Sequence, residues 1–182
     1  EGRSDTIKSM KQEIRNKEKN VSRGFTLMEL LIVVALLGIL TVIGITSFQS
    51  STLKGRDSRR KQDVKNVALA LETYFNDKGS YPASDNGSIL GCGAGASAAC
   101  SWGSIWKNTT NNTTYMVQLS KDPASARYKY YYVKSGNWFA LYAYLENTQD
   151  GDIITPSQLN TNCGVATAKT CNYGVSSPNT TP

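Results

Sequence analysis

Residues 25–48 form an almost unbroken apolar run, Phe-Thr-Leu-Met-Glu-Leu-Leu-Ile-Val-Val-Ala-Leu-Leu-Gly-Ile-Leu-Thr-Val-Ile-Gly-Ile-Thr-Ser-Phe, whose only charge is Glu29. As a helix this run is about 36 Å long, enough to cross a hydrocarbon layer of about 30 Å. No proline lies between Phe25 and Tyr81, so nothing in that stretch must break a helix. Gly38, Gly44 and Gly55 are its weak points. A chain of 182 residues has room for such a segment plus one modest domain.

What precedes the run is basic. Residues 1–24 carry seven Lys/Arg against four Asp/Glu. They contain no apolar block of the kind a secretory signal peptide places before its cleavage site. Here the order is reversed: the apolar segment follows Gly24 and stays in the product. Positive charge (Lys8, Lys11, Arg15, Lys17, Lys19, Arg23) holds such a leader on the cytoplasmic side. The chain begins at Glu1, so its start is expected either upstream or at Met10.

The basic leader, Gly24, then Phe25, Thr26 and Glu29 at fixed offsets in an apolar helix resemble the junction of type IV pilins and the related type II secretion pseudopilins. The resemblance implies cleavage after Gly24 by a membrane peptidase and methylation of the new N-terminus at Phe25. A glycine suits the cut physically, since backbone without Cβ approaches a protease cleft closely. Glu29 is costly one turn inside an apolar helix, by up to about 3.5 kcal/mol at a bilayer centre. The resemblance implies that it pairs with the Phe25 amine of a neighbouring subunit and sets the register of assembly. Pilins of this family commonly carry a helix-breaking proline in this segment, and this sequence has none.

From Gln49 polar residues take over, and a second helical half is expected over 49–79. Val64, Val67, Ala68, Leu71, Tyr74 and Phe75 recur at i, i+3, i+4, i+7 and form one apolar stripe. Gly79 stops the helix and Tyr81-Pro82 follow it. The basic group Lys54, Arg56, Arg59, Arg60, Lys61 and Lys65 reads as a solvated or subunit-facing surface, pairing in part with Asp57 and Asp63. The run from Arg56 to Pro82 also resembles the second half of a pilin N-terminal helix.

Residues 80–126 are rich in Gly, Ser, Asn and Thr. They read as a long helix-to-sheet connection with one short element at Tyr115–Leu119. Lys121-Asp122-Pro123 is a turn, and 127–134 and 138–145 are the best strands in the chain, joined at Ser135-Gly136-Asn137. Hairpin pairing places Phe139, Leu141, Ala143 and Leu145 on one face with Tyr128, Tyr130 and Tyr132, covering the stripe. The opposite face carries Arg127, Lys129, Tyr131, Val133, Trp138, Tyr142 and Tyr144. Left open it could stack nucleotides; the duller account is packing against the following loops. An antiparallel β head is expected over 127–175, with one further strand near Val165 or Tyr173 and a disordered tail over 176–182. The fold class is α+β: a long N-terminal helix on a small antiparallel sheet.

Four cysteines lie as Cys92/Cys100 and Cys163/Cys171, and there is no histidine and no C-x-x-C. Zinc would need unusual spacing. Two disulfides in an oxidising compartment are the expectation, each worth about 2–3 kcal/mol if paired locally. The sequence does not choose between local pairs and cross pairs. The resemblance implies a C-terminal disulfide loop like that of many pilins. No cofactor is expected. Asn147, Asp150 and Asp152 are the only calcium candidates, suggested by the calcium that major pseudopilins hold in their C-terminal loops, although Asp-Gly-Asp is also an ordinary turn.

The net charge of +6 is local. It resides in the leader and in residues 54–65, while the chain from Asn66 onward is neutral, so the pI is a poor argument for a nucleic-acid partner. An enzyme is not expected, because this inventory supplies no catalytic constellation. The leading expectation is a prepilin: cleaved, methylated and packed with itself into a helical filament for adhesion or motility. Its implied partners are the prepilin peptidase/methylase, an inner-membrane assembly platform and membrane lipid. It would sit as a single-pass protein in the cytoplasmic membrane and then in an extracellular pilus. The alternatives are a type II secretion pseudopilin in a periplasmic filament, a competence pilin for DNA uptake, and a membrane-anchored adhesin that never polymerises.

Overall fold

The structure, a computed structural model, describes residues 24–154 and 161–181. The leader expected over 1–24 lies outside the described residues except for Gly24. The chain divides after Thr46 into two compact units.

The helix α1 runs Leu27–Lys78 without interruption. Its start is set by Thr26, whose Oγ1 accepts the Glu29 N–H at 3.1 Å, while its carbonyl accepts the Leu30 N–H at 3.2 Å. This is the N-cap arrangement, which satisfies donors that no earlier turn can serve. In the N-terminal unit every described side chain from Gly24 to Ile45 is exposed. An 18-residue window of α1 has a mean hydropathy of 2.7, and α1 is long and apolar enough to cross a membrane. The soft spot expected at Gly55 does not interrupt it. Its end agrees with the sequence: the Gly79 N–H bonds the Phe75 carbonyl at 2.7 Å, and Gly79 sits at φ 72°.

In the second unit the stripe of α1 is the centre of the core. Val64, Val67 and Leu71 are fully buried and Tyr74 nearly so, with Ala68 and Phe75 partly buried beside them. They meet one face of an antiparallel sheet of three strands, β6 Tyr131–Ser135, β7 Trp138–Ala143 and β8 Tyr173–Ser176, in the order β6-β7-β8. The hairpin register pairs Ser135 with Trp138 and Tyr132 with Leu141. The turn is therefore Gly136-Asn137, with Gly136 at φ 52°, the two-residue connection that suits strand twist. Tyr130, Tyr132, Phe139, Leu141 and Leu145 are all buried in the same core as the stripe.

Three expectations need correction, and one alternative left open is decided. The first is the hairpin, which is shorter than 127–134 and 138–145. Before Tyr131 the chain turns to the C-terminal loop: Lys129 N–H bonds the Cys163 carbonyl at 2.8 Å and the Val165 N–H bonds the Arg127 carbonyl at 3.0 Å. Tyr128 consequently leaves the core face and stacks on Tyr144, centroids 4.9 Å apart.

Second, of the two accounts of the opposite face, packing against the following loop is the one borne out. Ala140 and Tyr142 are buried with Cys163 and Cys171, and Tyr131, Val133, Trp138 and Tyr144 pack around them, so the following loop covers this face. Third, residues 80–126 are not an irregular connection. They form β1 Ala83–Asp85, β2 Ser88–Cys92 and β3 Ala98–Ala99 in one sheet, and β4 Trp106–Asn108 with β5 Thr113–Met116 in another. These strands are too short for alternation to show. The tip of the β1–β2 hairpin is Asn86-Gly87, φ 45° and 82°. Its Gly87 carbonyl accepts the Tyr132 N–H at 2.9 Å, which ties this sheet to β6.

Fourth, the tail is not free from Ser176. Ser176 closes β8, Ser177 is buried, and its N–H bonds the Phe139 carbonyl at 3.1 Å. The further strand forms at Tyr173, while Val165 is exposed in a bend.

Candidate processing and assembly site

At the junction, Gly24 is exposed and Phe25 is 82% exposed, both ahead of the first helical residue. Because Thr26 caps the helix, Gly24 and Phe25 stay out of it, and the bond between them is not wrapped in a helical turn. Glu29 lies in the first turn of α1, where the helix dipole favours a carboxylate. Thr26 and Glu29 have the spacing of a capping box. Its side chain is exposed, and among the described residues no cation lies within ion-pair distance of it. The flanking Leu27, Leu30, Leu31 and Val34 are exposed by 58% to 87%. This arrangement can present a scissile bond, then an amine, and offers an unpaired acid inside an uncovered apolar surface.

Sequence reasoning missed a second constellation. Arg60, expected on a solvated face, is completely buried. Its Nε and Nη2 donate to the two carboxylate oxygens of Asp122 at 2.7 and 3.0 Å. Its Nη1 donates to Asp57 Oδ1 at 2.7 Å and to Glu146 Oε1 at 2.8 Å. Arg56 grips Glu146 with two parallel bonds of 2.8 and 3.0 Å. Asp57 in turn accepts the backbone N–H groups of Glu146 and Asn147 at 3.0 and 2.7 Å. Burial pulls the Arg60 guanidinium down, but its bonds to Asp122, Glu146 and Asp57 outweigh this and its pKa is raised. Burial likewise pushes Glu146 up, and the hydrogen bonds from Arg56 and Arg60 leave it below the usual carboxylate range. The network ties the helix to the turn before the hairpin and to the chain just after β7. A signal was available: Asp57, Arg60, Val64 and Val67 fall on one helical stripe, so the charges continue the buried face.

The calcium candidates do not converge on a cavity. Asp150 and Asp152 both accept from Lys61 Nζ at 2.6 Å. Asn147 Oδ1 accepts the Gln149 N–H within its own turn at 3.4 Å. Burial lowers the Lys61 ammonium, yet its bonds to Asp150 and Asp152 hold its pKa above the ordinary value. The bond from Lys61 in turn lowers Asp150. The cysteines form two local pairs, Cys92–Cys100 and Cys163–Cys171, which settles the connectivity left open by spacing.

Residues 19–45 match the family described as the prokaryotic N-terminal methylation motif. In this N-terminal segment the chain is similar to type IV pilins and to type II secretion pseudopilins. It is 40% identical over 60 residues to the type IV major pilin protein PilA of Myxococcus xanthus, covering 33% of this chain and 27% of that protein. Similarity to the fimbrial protein EcpC of Eikenella corrodens is 37% over 65 residues, or 36% of this chain and 42% of that one. Similarity to the type II secretion system core protein G of Pseudomonas aeruginosa reaches further, 26% over 136 residues, 74% of this chain and 90% of the relative. The chain thus spans less than half the length of the two pilins it matches, and both matches are shorter than the second unit is long. No solved structure matches the chain.

Proposed function

We propose that this chain is the structural subunit of a type IV pilus, cleaved after Gly24, methylated at Phe25 and assembled through its apolar N-terminal helix. The observation that carries the reading is the capped junction followed by a fully exposed apolar helix. Exposed apolar area of this extent must be covered by lipid or by other copies. One helix packed head to tail on its own kind generates an open filament rather than a closed ring. Glu29 neutralises the amine of a neighbouring Phe25 inside that filament. Peptidase, assembly platform and lipid are the partners at successive steps, and the mature subunit moves from the cytoplasmic membrane to the surface.

One observation favours a second reading, a type II secretion pseudopilin in a periplasmic filament: the similarity to core protein G runs through most of both chains. Mass measurement and N-terminal sequencing of the mature protein test what the two readings share. A start at N-methyl-Phe25 is expected; an intact leader overturns both. Shearing the cells then separates them. Long surface fibres containing this subunit support the pilus, and a subunit found only in the envelope fraction supports the pseudopilus.

A further inference from the structure

A surface cavity of about 340 Å³ is lined by Trp102, Lys121, Ser125, Tyr128, Lys129 and Tyr130, together with Asp122. That volume lies near the lower end of the roughly 300–1,000 Å³ of small-molecule sites. Asp122 does not contribute a charge to a ligand, because its carboxylate is taken by Arg60 and by the Ala124 N–H at 2.7 Å. Lys121 and Lys129 are different: among the described residues neither is in an ion pair, whereas nearly every acid of this unit is held by a cation, a tyrosine hydroxyl or a backbone N–H. The Lys121 stem lies against Gly103, where a Cβ would meet its Cδ at 3.0 Å, and this places the chain beside Trp102. Lys129 is anchored through its backbone to Cys163. Two ammonium groups that are in no ion pair among the described residues, that of Lys129 lying 5.9 Å from the Tyr131 ring centroid, therefore line one depression with a hydroxyl and an indole.

The aromatic rings decide what kind of anion fits. Single-strand nucleic-acid binders stack successive bases on several open rings. Here Tyr128 is stacked by Tyr144, and the Arg60 and Arg127 guanidiniums lie 5.2 and 5.6 Å from its centroid. Tyr130 is 1% exposed and donates its hydroxyl to Asp63. Only Trp102 remains: it meets Tyr130 edge to face at 79°, and among the described residues no ring is stacked on it. One indole can hold one ring-sized apolar surface, such as the C–H face of a pyranose, whose slightly positive hydrogens suit the negative π face. Ammonium groups at its side would take a carboxylate on the same sugar through charge-assisted hydrogen bonds.

We infer that this cavity is a binding site for a uronic-acid unit of an acidic polysaccharide, with Trp102 as the platform and Lys121 and Lys129 as the carboxylate contacts. The inference is independent of whether the filament is a pilus or a pseudopilus. The test titrates the full chain in non-ionic detergent with oligogalacturonate, a neutral glucose oligomer and a thymidine oligonucleotide, by calorimetry. Saturable binding of oligogalacturonate alone is expected. It should weaken about tenfold or more in Lys121→Gln/Lys129→Gln, the scale of a lost charge-assisted bond, and similarly in Trp102→Phe. The lysine variant removes no ion pair among the described residues and no fully buried side chain, and with the wild-type melting temperature retained its loss of binding reports on the site. The proposal is overturned by no saturable binding, by binding the lysine variant retains, or by equal affinity for the oligonucleotide.

Discussion

Arg60 shows how a single side chain can be misread when charge is taken as a sign of exposure. Its guanidinium meets three carboxylates within 2.7–3.0 Å and no water-facing surface. Arg60→Ala should cost roughly 3–5 kcal/mol, because it strands Asp122 and Asp57 and leaves the remaining cations, Arg56 and the more distant Arg127, both on Glu146. Arg59 is the control. Its side chain is 70% exposed and 3.9 Å from Asp63, so Arg59→Ala should change stability by about 0.5 kcal/mol or less. Urea unfolding of the two variants, compared at neutral pH, checks the contrast. The same network predicts acid sensitivity. Glu146 is held below its usual pKa, so its contribution is complete above the unfolded value, about 4.3, and is lost as pH falls through the lower folded value. The urea midpoint should therefore decline from pH 5 towards pH 3, and less steeply in Glu146→Gln.

At the level of elements, legibility followed regularity. The helix stop at Gly79, the Val64–Phe75 stripe and the register of the Tyr132–Leu141 face could be read because long periodic segments repeat their signal. The five strands of residues 83–116 could not, since strands of two to five residues offer too few alternations to separate from loop composition. Covering of the second face of β6 and β7 could be read only as one of two accounts, because it depends on a disulfide loop whose pairing spacing alone leaves open. At the candidate site, Gly24, Phe25 and Glu29 are neighbours in sequence and can be proposed from it, whereas Arg60, Asp122 and Glu146 are brought together only by the fold.

The loop after β7 gives an element-scale prediction. Lys61 joins Asp150 and Asp152, and we propose that the ammonium closes this turn without calcium. Excess EDTA or added calcium should leave the melting temperature unchanged. Lys61→Met should lower stability by about 1 kcal/mol or less, given that Asp152 is well exposed, and only then should calcium restore it. A chelator-induced drop in the unmodified protein would show that a cation shares the turn with Lys61.

For the whole molecule the unresolved demand is the apolar helix of the N-terminal unit, where every described side chain from Leu27 to Ile45 is exposed. Lipid can satisfy the leucines and valines, but it leaves Glu29 with a desolvation cost that rises with depth. The proposed filament satisfies both, provided an amine arrives beside the carboxylate, and the proposed cleavage after Gly24 would create that amine. Under the proposed function the order of events is that insertion needs only the apolar length, processing needs the exposed junction held out of the helix by Thr26, and assembly alone needs Glu29. Glu29→Ala should therefore insert and be cleaved at wild-type levels yet yield no sheared filaments. Glu29→Gln separates charge from shape, since it keeps the hydrogen-bonding oxygen and removes the ionic attraction. It should be cleaved normally and assemble poorly. Fractionation, N-terminal sequencing and shearing of the same cells measure the three steps separately, and normal filaments from Glu29→Ala would remove the carboxylate from the assembly contact.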